Sequence, residues 1–392
     1  MATKTKAAKT PKTPKVPAAA PATLAALTDA LKLVAAVCPK RDVKPILAYV
    51  RLTTTADATL LRATDLEYTV SVQLPALGLP ALDVLVHPGR LLGLIAALGD
   101  EPVALTLADS TLTLAGGASE YKLLICDDLK DYPDFSLTPP KGEPTTVTAT
   151  ALARMIGLTE CAVATDNTRW AVNSFLFKLK GNRLDLVTTD ARRLALATTN
   201  GQTVSGGEPG TWIVPAKAVD LLAKTIAFTG ADVVGCHFAK NEAWFTVGGV
   251  TILTRLAEGR FPPYDELFSK KLPVQIALPV RPLYDAARKA SVCANDSEGR
   301  RLDLEFRGEQ VTLSSADREV GTAKVTLPLA AGETFRVVFD AGYLLDVLAT
   351  VDDDAALTMS CLIDKVNGKP VVNTQPVVFT AGDYRHLLMP LS

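Results

Sequence analysis

VTTDAR, residues Val187–Arg192, is the middle copy of a signature that this 392-residue chain carries three times. RATDLE (Arg62–Glu67) precedes it and SSADRE (Ser314–Glu319) follows, with Asp65, Asp190 and Asp317 spaced by 125 and 127 residues. Each aspartate ends an apolar-alternating run, LLRATD, LDLVTTD or VTLSSAD, and so predicts a strand that breaks into a turn. A second set of markers keeps the phase: VHPGRLLGLIAAL from Val86, VPAKAVDLLAKTI from Val214 and FDAGYLLDVLATV from Phe339, spaced by 128 and 125 residues. Two independent markers on one period predict three copies of one domain. Such a chain fits a scaffold that uses its geometry, because catalysis needs one asymmetric site rather than three similar ones.

Within each repeat the pattern is the same. An amphipathic helix opens it, at Leu24–Val37, Ala151–Ala164 and Pro282–Val292, with Leu24, Leu27, Leu31, Val34 and Val37 at three- and four-residue steps in the first. Alternating strands follow, such as ILAYVRLTT, FLFKLK and LDLEFRG. A second helix starts near Pro88, Pro215 or Asp340, and a proline suits the first helical position because its missing N–H is not needed there. Further strands close the unit. This order predicts an α+β fold of three similar domains, antiparallel sheets with helices on one face. Lys/Pro-rich linkers at Thr138–Pro144 and Ser269–Val274 place the boundaries at 1–22 (tail), 23–141, 142–271 and 272–392.

Composition narrows the function. Hydrophobic residues are 48% of the chain, enough for sizeable cores, and no apolar run approaches the ~18 residues of a membrane span. Residues 1–20 are Lys/Pro/Ala-rich without acid or aromatic, and so read as a solvated tail, with a loose polyanion-binding arm as the second reading. The net charge is −1, and taking away the five lysines of that tail leaves −6. A body this acidic is not built for tight non-specific grip on nucleic acid, which draws on many Lys/Arg–phosphate contacts. The six cysteines, Cys38, Cys126, Cys161, Cys236, Cys293 and Cys361, stand singly, which argues against a zinc ribbon or disulfide framework and for buried reduced thiols.

Catalytic constellations are missing. The chain has no GxGxxG, GxxxxGK[ST], HExxH or GxSxG, and its three histidines, His87, His237 and His386, are isolated. Asp127, Asp128, Asp131 and Asp134, and likewise Asp352–Asp354, crowd single loops, whereas two-metal chemistry needs carboxylates converging from different elements. No metal and no cofactor is expected. The repeated aspartate sits where Asp commonly bonds its own backbone, a structural turn rather than three active sites.

VTTDARRLALA (Val187–Ala197), EGRFPPYDELF (Glu258–Phe268) and YRHLLMPL (Tyr384–Leu391), with the softer RDVKPIL (Arg41–Leu47) and ATDLEYTV (Ala63–Val70), resemble the bacterial beta sliding clamps in that order along the chain. These are the processivity subunits of DNA polymerase III, and the resemblance runs from Leu24 onward. It implies three clamp domains with sheets outside and two helices each lining a central hole, two chains closing head to tail into a six-domain ring around duplex DNA. It also implies a non-catalytic, cytoplasmic homodimer that tethers the replicative polymerase, the clamp loader and repair partners such as repair polymerases, ligase or mismatch-repair proteins. Partner peptides would enter a pocket of Thr189, Arg192, Arg193, Leu194, Pro262, Leu267, Leu387, Met389, Pro390 and Leu391, bordered by Thr374 and Pro376 where the extra stretch Asp364–Val372 intervenes. DNA contacts carry over to Arg41, Arg169 and Trp170. Helix residues Arg90, Arg154, Lys217, Lys224 and Arg288, with Lys32, Arg281 and Lys289, would face the duplex among Asp29, Glu160, Asp220, Asp285 and Asp346, or are ordinary solvated faces. Tyr121 and Leu123 would meet Val292 and Cys293 of the partner subunit. Ala191 and Arg192 depart from a common Gly-His pair, Glu266 stands where a basic residue is frequent, and the chain ends at Ser392 without the usual basic residue, all on the pocket rim. Three rivals stay open: a clamp-like paralogue that binds partners but is not loaded on DNA, an enzyme on a repeated scaffold, and a sequence-specific DNA-binding protein.

Overall fold

The computed structural model describes residues 21–39, 44–99, 103–126, 128–165, 172–199, 201, 203–295, 299–366, 369–372 and 375–391. They form two compact units, the described residues up to Thr138 with Gly249–Leu253, and the described residues of Pro139–Gly248 with those from Thr254 onward. The first repeat runs α1 (Pro21–Ala35), β1 (Val50–Thr54), β2 (Ala58–Thr64), β3 (Tyr68–Pro75), β4 (Leu82–Val86), α2 (Pro88–Leu98), β5 (Ala104–Ala108), β6 (Thr111–Gly116) and β7 (Ser119–Leu124). The second runs β8 (Thr145–Thr148), α3 (Ala149–Thr159), β9 (Ser174–Lys180), β10 (Arg183–Thr189), β11 (Arg193–Thr199), β12 (Val204–Ser205), β13 (Gly210–Pro215), α4 (Ala216–Thr229), β14 (Val233–Phe238), β15 (Glu242–Val247) and β16 (Val250–Arg255). The third runs β17 (Val274–Leu278), α5 (Val280–Ala290), β18 (Arg301–Arg307), β19 (Gln310–Asp317), β20 (Gly321–Pro328), β21 (Phe335–Asp340), α6 (Ala341–Thr350), β22 (Leu357–Cys361), β23 (Asp364–Val366), β24 (Lys369–Val372), β25 (Val377–Ala381) and β26 (Tyr384–Leu388).

Helix phase follows the apolar spacing, while the ends shift. α1, α3 and α5 start two or three residues before the expected positions. Pro282 therefore lies inside the first turn of α5, where a missing N–H leaves no hydrogen bond unmade. Pro88 opens α2, but Pro215 stands one residue before α4. Asp340 caps α6, its carboxylate accepting from Gly342 N at 2.8 Å and Tyr343 N at 3.3 Å. Such a cap stabilises by about 1 kcal/mol. α5 buries Leu283, Ala286, Ala287 and Ala290 and leaves Arg281, Arg288 and Lys289 in solvent.

The three signature turns are built alike. Asp65 Oδ1 accepts from Glu67 N and Tyr68 N, Asp190 Oδ1 from Arg192 N and Arg193 N, and Asp317 Oδ1 from Glu319 N and Val320 N. The repeated aspartate is thus the turn-maker that its position suggested. In the first two turns a threonine adds a second set of bonds: Thr64 Oγ1 and Thr189 Oγ1 each accept an N–H two residues on and donate to the carbonyl four residues on. Leu66 and Ala191 then take left-handed φ of 76° and 73°. The third copy has Ala316 in place of that threonine.

Sheet order shows how the repeats use their edges. In the second unit an antiparallel sheet runs β13-β9-β10-β11-β26-β25-β22-β17, so β26 of the third repeat fills the open side of β11, with Leu194 opposite Leu387. In the first unit, residues of β16 lie beside β3, and Gln73 N donates to Gly249 O at 2.8 Å. The third repeat has its own sheet, β20-β19-β18-β21-β24-β23, in which β24 pairs parallel with β21 and antiparallel with β23. Two counterparts are left over. β20 and β7 are both edge strands.

Of the thiols, Cys236 and Cys361 are buried while Cys38, Cys126, Cys161 and Cys293 are half-buried, and all six are free. The expectation of uniformly buried thiols is corrected on that point. Four sit at sheet or helix margins, where packing covers one side only.

Candidate functional site: a peptide pocket and two open strand edges

The outer face of the eight-stranded sheet carries an apolar cluster of Leu176, Val187, Leu194, Leu196, Ile213 and Leu387. The segment after β16 folds over it, burying Tyr264 and laying Phe261, Leu267 and Phe268 against it. Leu194, Leu267 and Leu387 of the expected pocket are therefore brought together by one cluster. Thr189 is buried at its end, and Met389 N donates to Arg192 O at 3.0 Å, which ties the tail to the Asp190 turn. Met389 is 38% exposed, an apolar side chain left at the surface beside Leu387. Pro376 is buried just before β25, whose Val377 faces Leu388.

Two further expected pocket residues lie at the borders of this cluster. Pro262 lines a cavity of about 390 Å³ with Leu176, Ile213, Phe261 and Tyr264, whose walls do not include Leu194, Leu267 or Leu387. Leu391 N donates to Val338 O at 2.8 Å, so the tail turns toward β21 after Pro390. Thr374, Arg41, Arg169, Trp170, Asp127 and Ser392 lie outside the described residues.

Arg193 faces neither solvent nor the pocket opening. It is 9% exposed, its Nε donates to Asp190 at 3.0 Å and its Nη1 to Asp346 of α6 at 2.5 Å, and it lies 4.2 Å over the Tyr343 ring. Burial works against the guanidinium, but hydrogen bonding to Asp346 and the charges of both carboxylates raise its pKa overall. Its role is to clamp the second repeat to the third. Beneath it, His386 is fully buried and shares a 2.8 Å hydrogen bond with the Tyr384 hydroxyl. Burial, with a contribution from Arg193, pushes its pKa down to about 3, so the ring is neutral.

Sequence reading missed His386, Asp346, Tyr264, Phe268 and Arg385 as parts of this site. Only the alternation of YRHLLMPL carried a signal for Arg385, which shares the outer face with Leu387. Its guanidinium lies 4.6 Å over the Phe268 ring.

The helix-borne basic residues Lys32, Arg90, Arg154, Lys217, Lys224, Arg281, Arg288 and Lys289 are all exposed. Some of the interleaved acids are already engaged: Asp29 with Lys32 at 3.0 Å, Asp285 with Arg281 at 3.3 Å. Burial pushes the carboxyls of Glu160 and Asp220 up, the charge of Asp220 adding to the shift of Glu160 while Lys224 opposes that of Asp220. Among the described residues no group of three or more His, Cys, Asp or Glu side chains converges as a metal site.

At the open edges, Tyr121 is half-buried, but Leu123 is turned into its own core at 5% exposed. The side chain presented outward by β7 is Leu124, at 71% exposed, one residue along and so on the opposite face. It borders a groove of about 430 Å³ with Gly89, Arg90, Gly93 and Leu94 of α2. In the third repeat Val292 is 73% and Val320 66% exposed, and Cys293 is half-buried beside Val292.

Three family models match in series: the N-terminal domain of the DNA polymerase III beta subunit over residues 23–136, the central domain over 146–263 and the C-terminal domain over 266–367. The chain belongs to the DNA polymerase III beta subunit family. Its function is that of a DNA sliding clamp, and its fold is the three-domain α+β clamp fold. The beta sliding clamp of Staphylococcus epidermidis is 27% identical over 341 residues, covering 84% of this chain and 88% of that one. The Thermotoga maritima DNA polymerase III beta subunit superposes with a TM-score of 0.82 at 20% identity, covering 94% of this chain and 98% of that one. A Pseudomonas aeruginosa sliding clamp bound to griselimycin gives a TM-score of 0.83 at 23% identity, covering 94% and 97%.

Proposed function

We propose that two copies of this chain close head to tail into a ring of six domains, bounded within each chain at 23–141, 142–271 and 272–392, that holds duplex DNA by enclosure. The observation that carries this is the pair of unmatched edges. β16 lies beside β3 and β26 beside β11, so the same step taken once more would set β7 of one copy beside β20 of the next. That contact is heterologous, and it yields a finite ring only if its rotation closes. Leu124 and the α2 groove on one side, with Val292, Cys293 and Val320 of the partner subunit on the other, supply its apolar part; Tyr121 borders it.

Exposed basic residues on the helices, Arg90, Arg154, Lys217, Lys224 and Arg288, would meet phosphates weakly, and the interleaved acids keep the grip loose enough for sliding. Arg41, Arg169 and Trp170 are carried into this reading as loop contacts. The Leu194–Leu267–Leu387 pocket, walled by Thr189, Arg192 and Met389 and with Pro262, Pro376, Pro390 and Leu391 at its borders, would take a short peptide of the polymerase catalytic subunit or the clamp loader in turn, and also of repair polymerases, ligase or mismatch-repair proteins. The protein acts in the cytoplasm at the replication fork and catalyses no reaction itself. No helix among the described residues is long and apolar enough to cross a membrane.

Sedimentation at micromolar concentration should give two chains, and a strict monomer would sink the ring. A loading assay on nicked circular DNA separates a working clamp from a paralogue that only binds partners: retention should end when the circle is cut. Affinity for short linear duplexes with a steep salt slope would instead indicate a sequence-reading protein.

A further inference from the structure

We propose that the outer edge of β5 is a docking site for an extended segment of a partner protein, one with a β-branched residue or leucine at every second position. The threefold repeat carries the argument. β5 follows α2 as β14 follows α4 and β22 follows α6. In the second and third repeats, the strand that opens the repeat lies along this position. β8 pairs antiparallel with β14, and β17 pairs antiparallel with β22. Among the described residues β5 pairs with β6 alone.

The two filled positions specify what such a neighbour looks like. α1, α3 and α5 bury Leu24, Leu152 and Leu283, each three residues after the first of its helix, which sets the three openings in one phase. Two residues before the helix stand Val147 and Leu278, and four before it Thr145 and Ile276, all buried. The corresponding positions ahead of α1 read Ala19 and Pro17. Alanine lacks the bulk of valine or leucine, and proline lacks the N–H that a strand ladder uses. The chain therefore encodes no strand of that type at its first opening.

β5 shows the consequence. β22 buries Leu357, Met359 and Cys361 along its core side, whereas β5 buries Leu105 and leaves Leu107, on the same face, 40% exposed. Its sequence, Ala-Leu-Thr-Leu-Ala, has no charge or proline to guard the edge. An edge of this kind is what strand addition uses, with main-chain bonds for affinity and alternate side chains for specificity. It lies on the opposite side of its sheet from β7, so it stays available whether or not β7 is joined to a second copy.

The test uses the full chain and a synthetic peptide carrying Val-Gln-Ile-Ala-Leu between lysines, with binding read by fluorescence anisotropy. Replacing its Ile and Leu by Ala, or its central Ile by Pro, should weaken binding roughly 10-fold or more. Leu107→Lys, and to a smaller extent Leu107→Thr, should do the same, and hydrogen exchange of residues 104–108 should slow when the peptide binds. Leu387→Ala should change nothing; a loss there would place the peptide on the other apolar site and overturn the proposal. So would absence of binding, equal affinity for the Leu107 variants, or equal affinity for the proline peptide. A tenfold gain on removing residues 1–20 would make the chain's own tail the occupant, and the partner would fall.

Discussion

The Asp190 and Asp317 turns grow from the same six-residue signature and meet opposite surroundings. Three residues after Asp190, Arg193 is buried and held by carboxylates from two repeats. Three residues after Asp317, Val320 is 66% exposed. The strand beyond Asp190 has β26 along its open side, while β20 beyond Asp317 is an edge. A repeated local motif fixes its own backbone. Its flank is finished by whatever repeat stands next, and where the chain supplies none, the surface stays unfinished.

The largest effect should come from unpicking the finished junction. Arg193→Ala leaves two carboxylates facing a cavity and should cost about 2–4 kcal/mol in urea unfolding, discounted because Asp346 is about half exposed. A loss under about 1 kcal/mol would mean that the clamp between repeats is ornamental. At the unfinished junction, Val320→Asp should leave the stability of one chain within about 0.5 kcal/mol. It should weaken self-association by roughly 10- to 100-fold, since an apolar contact acquires a buried charge; unchanged sedimentation would remove β20 from the interface.

Acid should weaken the junction built around His386. His386 has a folded pKa of about 3 against 6.5 unfolded, so as pH falls the unfolded chain takes up the proton first. Stability contributed here is present above pH 6.5 and is lost as pH falls toward 3, by up to about 1.4 kcal/mol per pH unit. His386→Phe should flatten that slope in unfolding experiments between pH 4 and 6.5, and an unaltered slope would assign it to other groups. The smallest change is expected at Ala191, a non-glycine residue at φ 73°. Ala191→Gly should stabilise by about 0.5 kcal/mol, the relieved left-handed strain exceeding the added chain entropy. Differential scanning calorimetry would show it, and a fall in melting temperature would contradict it.

Threefold repetition, helix phases and the turn-making aspartates were legible because each depends on neighbours a few residues away. Helix starts were not, since a proline is tolerated anywhere in a first turn, and Pro282 is the third helical residue rather than the first. SEYKLL alternates too weakly to say which leucine faces inward; the pairing of β7 with β6 decides it, setting Leu123 opposite Leu112. The bond from Arg193 to Asp346 spans 153 residues, beyond any local pattern. The stretch Asp364–Val372 looked like a mere insertion. Its pairing with β21 depends on a register that composition does not record.

The position of β26 also bears on how the protein is made. Its place is between β11 and β25, yet everything from Asn200 to Asp383 must leave the ribosome first. At ~5–20 residues per second, those roughly 185 residues occupy on the order of 10–40 s. Throughout that interval the nascent second repeat offers an unpaired strand and a naked leucine-rich face to its surroundings, which makes it a natural client for holding chaperones and a hazard in crowded polysomes.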